Sequence, residues 1–140
     1  MEFVLDASFT LHWCFEDEAT PASDAVLTRL QNQTDSAWVP GIWPHELLNG
    51  LGKGITRKRP RDGRERQKAF SLWQEIRALP IRVIEVPVDE ALLDLALHHN
   101  LAVYDASYLS LAVSRGLSLA TSDDKLAAAA QSVGIHVLRA

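Results

Sequence analysis

The sequence predicts an α/β fold, a central parallel sheet covered on both faces by helices in three α/β/α layers. Three observations predict it. Short apolar runs of strand character alternate with segments of helical period along the whole chain. Several of these runs end at an acid, as strands do where a parallel sheet opens its carboxyl edge into a crevice. The length of 140 residues, 47% hydrophobic and 23% charged, suits one domain (1–140) with an ordinary buried core.

Phe3-Val4-Leu5 is a β-favouring run that stops at Asp6. Ser8 is expected to cap a helix running to about Phe15, where Glu16-Asp17-Glu18 and Pro21 interrupt it. Ala22, Ala25, Val26 and Leu30 recur at helical spacing, and residues 32–35 have turn chemistry. Ala37-Trp38-Val39 reads as a second strand, stopped by Pro40-Gly41. Pro44 suits the first turn of a helix striped by Leu47, Leu48 and Leu51. Gly50, Gly52 and Gly54 are expected to weaken its far half, and Pro60 to break it. A further helix is expected over 63–79, with Phe70, Trp73, Ile76 and Arg77 in register, and a third strand over 81–86.

Residues 89–99 read as a helix closed by Asn100. Leu101-Ala102-Val103-Tyr104 then reads as an apolar strand leading into Asp105. Ala106, Leu109, Ala112 and Val113 mark the helix that follows, ending at Gly116. Leu117 to Ala120 is the next strand. An alanine-rich helix from Lys125 to Val133 is closed by Gly134, and a last strand covers 135–138. The alternation implies right-handed crossovers.

Four acids stand out: Asp6, Glu46, Asp105 and Asp123. Asp6, Asp105 and Asp123 close or closely follow strand-like runs, and Glu46 lies just inside the Pro44 helix. Each has a plain structural explanation. Asp6 and Asp105 could cap the helices after them. Glu46 suits the dipole of a first helical turn. Thr121 with Asp124 fits a capping box, which would leave Asp123 to face the crevice. Gathered at one sheet edge, however, these carboxylates repel one another, and a cation or shared protons must offset that. Hard oxygen ligands select Mg²⁺ or Mn²⁺. The pattern therefore points to a metal-dependent phosphodiesterase. Asp6, Glu46, Asp105 and Asp123 would together form the cation-binding and catalytic set. Asn49, three residues after Glu46 and so on its face, would position water or a substrate oxygen. Ser8 and Thr121 would also touch substrate.

Other chemistries find less support. His45-Glu46-Leu47-Leu48-Asn49 resembles a zinc-protease helix but has asparagine where the second histidine is needed. The five histidines show no ligand spacing, and His98-His99 suits a helix C-terminus. The single Cys14 excludes an internal disulfide and a multi-cysteine zinc site, as fits a reducing cytoplasm. No Gly-rich phosphate loop or Ser-His-Asp arrangement is evident. No signal peptide is read and no apolar run approaches the roughly 18 residues of a membrane span. The tryptophans read as core, with Trp43 the best candidate for a base-stacking platform.

The net charge of −4 hides a segregation. Lys53, Arg57, Lys58, Arg59, Arg61, Arg64, Arg66 and Lys68 are opposed nearby only by Asp62 and Glu65. Such a strip is either a solvated helical face or a local hold for a polyanion backbone.

Taken in order, these blocks resemble the PIN-domain family, most closely its VapC-type toxin ribonucleases. The resemblance rests on Val4-Leu5-Asp6-Ala7-Ser8, Pro44-His45-Glu46-Leu47-Leu48-Asn49, Val103 to Ala112, and Leu119 to Leu126 followed by Gly134. It covers nearly the whole chain. It implies a three-layer α/β/α fold, a Mg²⁺ or Mn²⁺ site and endonucleolytic cleavage of RNA. Carried over by motif, Asp6 and Asp105 are the principal metal ligands, Asp123 completes the pocket and Glu46 supports it. The resemblance also implies a homodimer neutralised by a cognate antitoxin. Two other readings remain open: a PIN-like module that grips RNA or a partner with little catalysis, and a phospho-acceptor receiver domain. The latter would want paired acids early and a lysine after a late strand, which this chain lacks.

Overall fold

The structure, a computed structural model, describes residues 1–58 and 63–140. The break expected at Pro60, and Arg59, Arg61 and Asp62 of the basic strip, lie outside those residues. The chain begins with β1 (Glu2–Leu5), a short helix α1 (Ala7–Thr10), and 3₁₀ turns over Leu11–Trp13 and Glu16–Glu18. Next come α2 (Pro21–Gln31), β2 (Ser36–Pro40), α3 (Trp43–Lys58), α4 (Gly63–Arg77) and β3 (Ile81–Ile84). Then follow α5 (Glu90–His99), α6 (Val103–Arg115), β4 (Ser118–Ala120), α7 (Asp124–Ser132) and β5 (Val137–Leu138).

The five strands form one sheet in the order β3-β2-β1-β4-β5, and every pairing is parallel. The fold is the expected three-layer α/β/α. Successive strands run outward from β1 to β3, and the chain then returns to place β4 on the other side of β1. The order therefore reverses between β1 and β4, and in an open parallel sheet such a reversal leaves a crevice at the carboxyl ends. Central β1 explains its own sequence: Phe3, Val4 and Leu5 are all fully buried, because helices cover both faces. Helix α6 packs on β1, β2 and β4 with α5 and α7 beside it, while α1 packs on α3 and α3 on α4. Among the described residues no helix is long and apolar enough to cross a membrane.

Three expectations need correction, and two glycines of α3 find a reason. Leu101-Ala102-Val103-Tyr104 is not a strand. Asn100 closes α5 in the left-handed conformation and Ala102 already caps α6, so only Asn100, Leu101 and Ala102 separate the two helices. A four-residue apolar run carries too little periodicity to distinguish these cases. Ser8 does not cap its helix. Asp6 occupies the N-cap position, Ser8 lies inside α1, and the α-helix ends at Thr10 before tightening into the 3₁₀ turn. Helix α3 runs through its three glycines to Lys58. An ideal Cβ on Gly50 would lie 2.5 Å from Leu11 Cδ1, and one on Gly54 would run into the Phe15 ring. Lost helix propensity is exchanged there for close packing against the segment after α1. Finally, Trp43 offers no stacking face. It is fully buried, and its indole Nε1 donates to Thr10 Oγ1 at 3.2 Å.

Candidate active site

The two strands flanking the reversal set the site. Asp6 directly follows β1, and its backbone N–H donates to Ala120 O at the end of β4 (2.9 Å). Thr121, Ser122 and Asp123 link β4 to α7. The Asp6 side chain stands at a helix N-cap without making a cap bond. Its Oδ2 instead accepts two hydroxyls, from Ser8 Oγ at 2.6 Å and Thr121 Oγ1 at 2.7 Å. Asp6 is 4% exposed and Thr121 wholly buried. Both hydroxyl bonds fall on one oxygen, and the Ser8 backbone N–H also acts on the carboxylate.

Asp123, not Thr121, caps α7. Its Oδ1 accepts the Leu126 N–H at 2.9 Å, while Thr121 Oγ1 accepts the Asp123 N–H at 3.0 Å. The Thr121–Asp124 capping box is therefore absent. The Thr121 oxygen accepts the Asp123 N–H while its proton goes to the buried Asp6 carboxylate. Asp124 is turned outward and pairs with Arg139. Of the two adjacent acids, Asp123 is the one whose charge acts on Asp6 and Asp105.

Asp105 lies in the first turn of α6, half-buried. Glu46 lies in the first turn of α3, and its Oε1 accepts the Tyr108 hydroxyl at 2.7 Å. Electrostatics ties the four acids together. Burial pushes the Asp6 carboxyl above its ordinary value; the Ser8 and Thr121 hydroxyls pull it part of the way back, and the Asp123 charge raises it further. Burial also raises Glu46, with Tyr108 opposing and the Asp6 and Asp105 charges adding to the rise. Asp105 is raised by burial and by Asp123 and Asp6, against the nearby Lys125 ammonium. Three carboxyls raised together mark a neighbourhood short of positive charge.

The side chains do not form a closed cage. Among the described residues, no three of His, Cys, Asp and Glu stand close enough to hold a metal ion unaided. Nor does any described hydrogen bond bring Asn49 to the acids. It is exposed and lines a surface hollow with His45, Leu48, Gly52, Lys53 and Thr56. Ser8 and Thr121, expected to touch substrate, spend their hydroxyl protons on Asp6. Tyr108 was assigned no role from the sequence. It is fully buried, and burial together with the Asp6 and Glu46 charges pushes its phenol far above the usual range, so it serves Glu46 as a neutral donor. The available signal was its place three residues after Asp105, on the same face of α6.

Comparison with known proteins follows the same pattern. A family model described as PIN domain matches residues 3–131. The chain is 28% identical over 127 residues to Ribonuclease VapC3 of Pyrobaculum aerophilum, covering 91% of this chain and 93% of that protein. Its fold is similar to the crystal structure of PAE2754 from Pyrobaculum aerophilum, with a TM-score of 0.68 and 22% identity over 99% of this chain and 84% of that one. It is also similar to FitAB bound to an IR36 DNA fragment, with a TM-score of 0.65 and 17% identity over 99% and 94% of the two chains. FitAcB from Neisseria gonorrhoeae gives a TM-score of 0.57 at 19% identity over 99% and 96%.

Proposed function

The chain belongs to the PIN domain family, and from that premise we propose that it is a Mg²⁺- or Mn²⁺-dependent endoribonuclease, the toxin of a type II toxin–antitoxin pair. The observation that carries this reading is the carboxylate neighbourhood at the β1/β4 reversal, where Asp6, Glu46 and Asp105 are all raised. The similarity to Ribonuclease VapC3 supports the same activity.

The donor set fits a hard divalent cation. All its ligating atoms are oxygens and their charges are alike. An open arrangement suits Mg²⁺, which keeps several waters and binds through one or two carboxylates plus substrate phosphate. Asp6 and Asp105 would hold the ion, with Asp123 as the further acidic group. When bound, the cation would stabilise charge on the scissile phosphate and lower the pKa of an attacking water. Ser8 and Thr121 hold Asp6 in place. Tyr108 holds Glu46, whose carboxylate would orient the water for in-line attack that releases a 3′-hydroxyl. Exposed Lys53, Arg64, Arg66 and Lys68 would hold flanking phosphates and make activity fall with salt.

Residues 1–140 act as one domain in this reading, in the cytoplasm, as a homodimer neutralised by a cognate antitoxin. A relative solved as FitAB on DNA supports a protein partner. Purified protein incubated with structured RNA should cleave it in Mg²⁺ or Mn²⁺ and stop in EDTA. Asp6→Asn and Asp105→Asn should abolish cleavage while remaining folded. Full activity in both variants would remove them as ligands. Tight RNA binding without cleavage by the parent would favour a non-catalytic binding module.

A further inference from the structure

His12 takes no part in the chemistry above, yet it is fixed at both ring nitrogens. Its Nδ1 lies 2.6 Å from the Glu18 carbonyl oxygen. A carbonyl only accepts, so Nδ1 carries the hydrogen. In the neutral ring Nε2 is then a bare acceptor, and Ser122 Oγ, 2.9 Å away, donates to it. In the imidazolium Nε2–H would donate to the same oxygen, so the contact holds in either protonation state. Ser122 is also tied through its backbone, whose N–H donates to Ser8 Oγ at 3.0 Å. Ser8 in turn donates to Asp6 Oδ2.

His12 stands on the 3₁₀ turn after α1 and Ser122 between β4 and α7. The two belong to the segments that leave the strands on either side of the reversal. One segment carries Asp6 and the other Asp123. We propose that the His12–Ser122 clasp is a positioning device for the cation site: it locks these two segments together and so sets the spacing of Asp6 and Asp123 for a divalent ion. This rests on the metal-dependent reading of the site. His12 and Ser122 touch neither ion nor substrate in it; they act through Ser8, Asp6 and Asp123. Supporting contacts of this kind, here relayed to Asp6 through Ser8, orient carboxylates that would otherwise splay under mutual repulsion.

The test is Mn²⁺ binding by calorimetry without RNA, alongside melting in EDTA, for the parent, His12→Ala, Ser122→Ala, the double variant and His12→Gln. The alanine variants should each weaken Mn²⁺ affinity by about tenfold, the low end for such supporting groups. The double variant should be no weaker than either single one, because both remove the same contact. His12→Gln, which can present an oxygen acceptor to Ser122, should recover most of the affinity. A merely structural tie would lower the melting temperature and leave Mn²⁺ affinity within twofold of the parent, and that result overturns the proposal. If His12→Ala does not fold, Ser122→Ala decides in the same way. A parent that binds no Mn²⁺ overturns the cation reading and the clasp with it, whereas a binding parent with equally binding variants overturns the clasp alone.

Discussion

Replacing Tyr108 by phenylalanine deletes one oxygen from the contact between α6 and α3. The ring is fully buried and stays so, leaving apolar burial nearly unchanged. What goes is the 2.7 Å bond to Glu46 Oε1. A hydrogen bond to a charged group contributes about 1.5–3 kcal/mol. Glu46 is only half-buried, so water can partly replace the phenol, and the low end applies. We expect Tyr108→Phe to cost about 1.5–2 kcal/mol at neutral pH, or about 5–7 °C in melting temperature for a chain of this length. The assay is urea denaturation in EDTA, repeated in a Glu46→Ala background, where the cost should fall to a few tenths of that. The pH dependence has a definite sign. Burial raises the Glu46 carboxyl and the Tyr108 bond opposes the rise, so the bond favours the charged form. Its extra contribution is present above the folded pKa of Glu46 and fades as pH falls through it. The penalty of Tyr108→Phe should shrink in acid accordingly. An equal penalty with and without the Glu46 carboxylate would refute the pairing.

The other expectations concern packing and charge. Gly54→Ala should destabilise by about 1–3 kcal/mol, because its methyl would run into the Phe15 ring. Gly52→Ala meets nothing within 4 Å and should stabilise α3 by about 0.5–1 kcal/mol. Chemical denaturation of both variants checks this pair, and the same sign for both would refute the close-packing account. For Asp6→Asn the pH profile matters. Burial raises this carboxyl in the folded state, so its ionised form opposes folding. That penalty is absent below the unfolded pKa, grows between the unfolded and folded values, and is complete above them. In EDTA at neutral pH, Asp6→Asn should melt no lower than the parent and lack the parent's loss of stability across that interval. A variant several degrees less stable at neutral pH would show that the carboxylate supports the fold instead.

Much of the architecture was legible because it rests on local signals. Phe3-Val4-Leu5 reads as a covered strand, and all three side chains are buried in β1. Asn100 and Gly116 marked helix ends correctly, and both adopt the left-handed conformation with φ of 54° and 63°. Asp105 was found for a partly mistaken reason. Its apolar prelude was read as a strand, whereas the chain passes from α5 into α6 with almost no connection. Both readings deliver Asp105 to the carboxyl edge of the sheet, since a helix that starts there also opens onto the crevice. Trp43 failed differently. Its neighbours in sequence suggested a rim position, and only the packing of α1 on α3 puts the ring inside.

The acids were easier to see than the groups that hold them, and the reason is physical. A carboxylate at the end of an apolar run breaks a pattern and demands an explanation. A serine or threonine after a strand reads the same whether it caps a helix or serves a distant side chain. Thr121 was assigned to Asp124, three residues away. Its true partner is Asp6, and only the parallel register of β1 beside β4, which pairs Leu5 with Ala120, brings the two together. Ser122 with His12, and Tyr108 with Glu46, depend in the same way on contacts between elements far apart in the chain. Caps and turns can be ranked from local spacing, but a hydroxyl can accept a nearby N–H and still send its proton elsewhere, as Thr121 does to Asp6. The proton goes to the carboxylate that has lost its water because a charge-assisted bond is stronger than one to a neutral acceptor. Where a sheet gathers unpaired acids, the protons of the hydroxyls nearest them in space are therefore best assigned to the acids, whatever N–H those oxygens accept.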